Sequence, residues 1–195
     1  TRGDHTISVS ANRVFSWLDR DENKHDTGLN FAYTRKLDKV WNLMAFLRAS
    51  HVRFEESALQ IQDVDRLTYG VSLSQSLSKG VFNVSATGGA DKSQKSGSPF
   101  STDVYGLNMS HSWFRPGGKI YFVEAGASAT DYDDPFFAIN RTDDLYTFGV
   151  GGTWAKFPID DWLTTFKASY SRKDSTVSLY EFDRLEVGFT FQKIL

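Results

Sequence analysis

Residues 184–195 read R-L-E-V-G-F-T-F-Q-K-I-L. Taken in twos, Leu185, Val187, Phe189 and Phe191 fall on one side, and Arg184, Glu186, Gly188, Thr190 and Gln192 on the other. Side chains of a β-strand alternate between its two faces. The stretch is therefore a strand with one apolar, aromatic face and one face that is small, polar and charged.

The same period recurs through the chain. A first strand is expected over 5–17, followed by a long charged loop over 18–26. The next two strands centre on Phe31 and Met44 and are joined by a short turn at 36–39. A long loop over 54–65 precedes strands around Tyr69 and Val84, which meet at the turn 78–80. Residues 88–102, rich in Gly, Ser and Lys, read as a mobile loop. Strands around Leu107 and Val123 flank Arg115-Pro-Gly-Gly118, a turn by its residues alone. An acidic loop over 131–144 leads to strands around Phe148 and Phe166, separated by the turn 158–161. A last loop, 173–183, reaches the closing strand.

Composition narrows the class. The 195 residues leave room for one domain, 1–195. No apolar run approaches the ~20 residues of a membrane helix, but a membrane barrel shows only every second residue to lipid. Aromatic residues make up 15% of the chain, rich for a soluble domain and as needed for interfacial girdles. Cysteine is absent, so neither disulfides nor thiol chemistry are available. The net charge of -2 provides no basic face, and no nucleic-acid partner is expected. The first residues carry no signal-peptide core, so a mature or trimmed chain is expected.

Three regularities converge. There are about ten strands, connections alternate long and short, and all five tryptophans lie on the apolar parity. Trp41, Trp113, Tyr121, Trp154 and Trp162 gather at short-turn ends, and Trp17, Tyr105, Tyr146 and Tyr170 at long-loop ends, as two membrane girdles. A soluble sandwich or lipocalin-like barrel would also alternate, with its apolar face inward. Its outer face would favour Lys and Glu, whereas these polar faces are mostly Gly, Ser, Thr and Asn. The expected fold is all-β: an antiparallel up-and-down transmembrane β-barrel of about ten strands. Short turns and both termini would be periplasmic, and long loops extracellular, in the bacterial outer membrane. Its surroundings would be outer-membrane lipid and lipopolysaccharide.

The polar parity carries Arg48, Arg66, Glu124, Lys167, Arg184 and Glu186, expected to line the lumen. Pairing strands nine and ten puts Lys167 diagonal to Glu186, so a Lys167–Glu186 contact is expected. Four cations against two carboxylates predict an anion preference for any water path. Of the four histidines, none has metal-ligand spacing, and His111 belongs with the girdle. The clusters Asp19, Asp21, Glu22, His25 and Asp26, and Asp131, Asp133, Asp134, Asp143 and Asp144, lack calcium-loop spacing and read as solvated loops. No metal, cofactor or catalytic residue is expected, and no serine sits in a nucleophile elbow.

The closing strand resembles the C-terminal signal read by the outer-membrane barrel assembly machinery, which implies that machinery as a partner during biogenesis. Leu195 stands where that signal has its terminal aromatic. Residues 140–195 also resemble the C-terminal barrel of surface lipoprotein assembly modifiers, through Ser175-Thr-Val-Ser-Leu-Tyr-Glu-Phe-Asp-Arg184 before the closing strand. That family has an N-terminal helical repeat domain and a larger barrel; neither is evident in this sequence. The resemblance implies movement of polypeptide or another polymer across the outer membrane. The expected function is a channel or translocation barrel. Alternatives are a non-conducting anchor that binds a protein partner or plug, and an outer-membrane hydrolase.

Overall fold

The computed structural model describes residues 4–18, 21–95, 98–135, 138–157 and 162–193, with the side chains of 17, 18, 21 and 22 outside that description. Ten strands follow in order: β1 (His5–Leu18), β2 (Asp21–Lys36), β3 (Trp41–Phe54), β4 (Val64–Leu77), β5 (Gly80–Ser93), β6 (Thr102–Arg115), β7 (Lys119–Tyr132), β8 (Thr142–Ala155), β9 (Trp162–Ser175) and β10 (Phe182–Lys193). Each pairs antiparallel with its neighbours in sequence, forming one up-and-down sheet. Among the described residues β1 and β10 each pair on one side only. No described helix is long and apolar enough to cross a membrane, which leaves strands untested.

Strand alternation appears directly in exposure. On β4, Asp65, Leu67, Tyr69 and Val71 are exposed while Arg66, Thr68, Gly70 and Ser72 are covered. On β8, Asp144, Tyr146, Phe148 and Val150 are exposed while Asp143, Leu145, Thr147 and Gly149 are covered. The apolar parity is thus the open face. Among the described residues only Val52 and Val64 of the apolar side chains are buried, whereas Ser50, Ser72, Thr102, Asp143 and Ser171 all are. Hydrophobic burial normally drives folding from inside; here the covered face is the polar one.

That polar face is concave. Side chains from β2 through β7 border one cavity at the long-loop end. In a flat sheet those two strands would stand about 24 Å apart, at ~4.8 Å per step. Large inner side chains lie over glycines of the next strand: a Cβ on Gly70 would come within 2.7 Å of the Phe46 ring, and one on Gly149 within 2.8 Å of Glu124 Oε1.

Several segments read as loops are strand. The charged run 21–26 belongs to β2 and pairs as far as Leu18↔Asp21. Residues 88–93 belong to β5 and pair with β4, and Ser98 of the same expected loop is fully buried, its hydroxyl donating to the Ile61 carbonyl at 2.8 Å. Asp143 and Asp144 open β8, and residues 173–175 finish β9. Charge and glycine content concealed these ladders, because a strand that outruns an apolar zone no longer needs an apolar face. The first connection is consequently short, and long and short connections alternate only from β2–β3 to β7–β8; those after β8 and after β9 are equal, at six residues each. At the turn 37–40, Asp38 accepts hydrogen bonds from the Val40 and Trp41 amides at 2.7 and 2.8 Å. Those two amides hold its carboxyl below the usual carboxylate range.

Candidate functional site: the outer belt and the inner wall

The outer face is layered. Tyr105 and Trp113 on β6, Tyr146 and Trp154 on β8, and Tyr170 and Trp162 on β9 are each separated by the same eight residues. At ~3.3 Å per residue that is ~26 Å along a strand, or ~20 Å in height at a 40° tilt, near the apolar band of a membrane barrel. At the short-turn end, Trp113 lies directly opposite Tyr121. His111 meets the Trp113 ring edge-on at 4.4 Å, and Tyr121 meets Trp154 edge-on at 6.1 Å. Trp41 and Trp162 begin β3 and β9 at the same end. The Trp17 side chain lies outside the described residues. Tyr69, 46% exposed on the same face as Tyr105, is a ring-forming residue that the sequence reading did not single out.

Beyond the tyrosines the outer parity turns ionic. Lys92 Nζ reaches Asp133 at 2.7 Å and Asp103 at 3.5 Å. His51 pairs with Asp65, and Arg172 with Asp174 at 2.9 Å. The strands therefore continue past the apolar belt as a charged rim.

The inner wall holds the six charges expected there, each with a partner. Arg48 donates to Asp26 at 2.9 Å. Arg66 makes a two-pronged contact with Asp91 at 2.8 and 2.6 Å. Lys167 pairs with Glu124 on β7, two strands away, and Arg184 lies 3.4 Å from Glu186. The expected Lys167–Glu186 contact is thus corrected. Gly149 and Gly151 on β8 leave no side chain between Lys167 and Glu124, so the long lysine crosses β8 rather than turning to β10.

Asp26, Asp91 and Asp143 lie in stretches expected to be loops, yet they stand on the inner parity and neutralise cations. With Asp26 and Asp91 counted, the four cations expected on this wall each face a carboxylate, while Asp143 is shared by Arg141 and Lys173. Between the charges the wall is amide and hydroxyl: Asn83, Ser85, Asn108, Ser110 and Thr147 line a cavity of about 290 Å³ with Glu124.

At the long-loop end one cluster is closed by its own partners. Asp143, 3% exposed, accepts from Arg141 Nε and Nη2 at 3.0 and 2.5 Å, from Tyr132 Oη at 3.1 Å and from Ser175 Oγ at 2.6 Å. Lys173 adds an ion pair at 2.6 Å. The Arg141 guanidinium lies between the Tyr132 and Tyr180 rings, 4.1 and 3.3 Å from their centroids. This latch ties the loops on both sides of the β8–β9 pair to the inner wall. Among the described residues no group of three or more His, Asp or Glu is placed to hold a metal ion.

Geometry defines the class as an all-β, ten-stranded up-and-down sheet, apolar outside and polar within. No protein-family model matches the chain, and the search of curated proteins finds no match to it.

Proposed function

We propose that the sheet spans a bacterial outer membrane, with β1 and β10 brought together to close it, and that its polar interior passes solute. One observation carries this reading: the face that carries Leu67, Val71, Leu107, Phe148, Leu185 and Phe189 is 42–72% exposed, while the covered face is polar. Water would penalise that arrangement and hydrocarbon would favour it. Closure follows from the same physics, since unpaired strand edges do not persist in the hydrocarbon region. The aromatic rings then mark the two interfaces, and the ionic rim meets the headgroups of the outer leaflet, lipopolysaccharide among them. Short turns and both strand ends His5 and Lys193 lie on the periplasmic side in this orientation.

Along the middle of the wall, paired charges and neutral hydrogen-bonding groups make a wet path of low charge selectivity. Translocation of a polymer is the wider version of that reading and rests on the resemblance of residues 140–195. The Arg141–Asp143 latch and the inward Phe46 and Phe122 rings favour a second reading, a closed barrel that anchors a partner. Planar-bilayer recording separates the two. Small, weakly selective conductance steps support passage. A silent bilayer with protein shown to be inserted supports the anchor.

A further inference from the structure

The cavity at the long-loop mouth, about 280 Å³, is bordered by inner side chains of β2 to β7 and by Phe100 of the connection before β6. Its fittings differ from those of the rest of the wall. Phe54, Phe100 and Tyr132 bring aromatic rings to the lining, the Tyr132 ring with one face on Arg141, and Thr102 and Thr130 bring hydroxyls. Arg66 is already taken up by Asp91. Lys24 is different: it is half-buried, its ammonium stands 5.7 Å from the Phe54 ring centroid, and no described carboxylate lies within ion-pair distance of it. The polar lining therefore carries one uncompensated positive charge beside aromatic faces and hydroxyl groups.

Each feature selects a ligand property. An unpaired, half-desolvated ammonium is satisfied by an anion, and a carboxylate provides both charge and acceptors. Threonine hydroxyls that donate and accept match ligand hydroxyls. Aromatic faces pack against the C–H faces of a saturated ring by dispersion and area burial. The volume admits one six-membered ring with its substituents and excludes a chain of several; ordinary ligand pockets begin near ~300 Å³. We infer that this mouth cavity binds a sugar acid, a single hydroxylated ring bearing one carboxylate, with Lys24 as its charge partner. The site needs only the curled inner wall. It requires no conduction, although under the proposed function it would stand at the entrance of the path.

The test is calorimetric titration of the detergent-folded protein with D-glucuronate, using D-glucose as the uncharged match. Wild type should bind glucuronate saturably and at least tenfold more tightly than glucose. Lys24→Gln should lose that tenfold advantage, with glucuronate falling to the level of glucose. Thr130→Val should weaken both sugars several-fold, and Lys36→Gln at the opposite end of β2 should change nothing. Each variant is first checked for its β-sheet circular dichroism. If Lys24→Gln does not fold, Lys24→Arg serves in its place: it retains the charge and must retain the preference for glucuronate. Equal binding of the two sugars, an unaltered Lys24→Gln, or no saturable glucuronate binding overturns the inference. Glucuronate binding by a protein that is silent in bilayers would refute passage and leave this site standing.

Discussion

Val150 lies four residues from Tyr146 and four from Trp154 on the same outer parity, at the midpoint of the belt. It is 41% exposed and stands between Val123 and Ala168 on the neighbouring strands. In the proposed membrane-spanning sheet, arginine there would sit at the bilayer midplane, at a cost of roughly 2–4 kcal/mol. Thr153 faces the interior, where its hydroxyl is 3.0 Å from that of Thr165. Thr153→Arg loses that hydrogen bond, about 1 kcal/mol, and keeps its charge in a wet space. Val150→Trp separates lipid from a packed core: lipid accommodates the larger ring, whereas a core would be overpacked by about 1–3 kcal/mol. Denaturant titrations of folding into lipid vesicles give all three values. The expected order of cost is Val150→Arg first, Thr153→Arg second and Val150→Trp least. If Val150→Arg changes stability by less than about 0.5 kcal/mol, as for an ordinary surface site, the face is in water. If Val150→Trp is as damaging as Val150→Arg, the face is a packed core. Either result refutes the reasoning.

At the latch, Asp143→Ala should cost roughly 3–5 kcal/mol, because it leaves Arg141 and Lys173 without their carboxylate. Arg141→Ala should cost less, about 2 kcal/mol, since Lys173, Ser175 and Tyr132 remain on Asp143; the same titration orders the two. Asp38 has a folded pKa below its unfolded value, so its contribution is present above the unfolded pKa and fades as pH falls through the folded one. Asp38→Ala should therefore be less stable than wild type near neutrality, and the difference should vanish in strong acid when unfolding is followed at a series of pH values.

Much of the fold was legible because a two-residue period survives any tertiary context. Residues 66–72 and 146–150 declare their faces in sequence, and exposure follows the same alternation. Strand ends were not legible. Asp26, Asp91 and Asp143 sit among charges and glycines that signal loops, yet each continues a ladder beyond the apolar belt and turns a carboxylate inward. Missing them also gave the wrong charge balance for the inner wall. The Lys167 partner failed for a different reason. Adjacent-strand geometry points to Glu186, but the reach of Lys167 is decided by what β8 lacks, the side chains at Gly149 and Gly151. Lys24 was hidden by its placement in an expected loop, and only the curl of the sheet brings it near residues of β6 and β7.

The central claim is that the exposed apolar face meets lipid and the covered polar face does not. The absence of cysteine makes site-directed spin labelling direct. Single cysteines at positions 144 to 153 of β8, each carrying a nitroxide, are reconstituted in bilayers and scanned for collision with oxygen and with a water-soluble nickel chelate. The account predicts a two-residue period: oxygen access peaks at 146, 148 and 150, is low at 147, 149 and 151, and yields to the nickel reagent at 144. Nickel access peaking at 148 and 150, or an oxygen profile without a period of two, would contradict it.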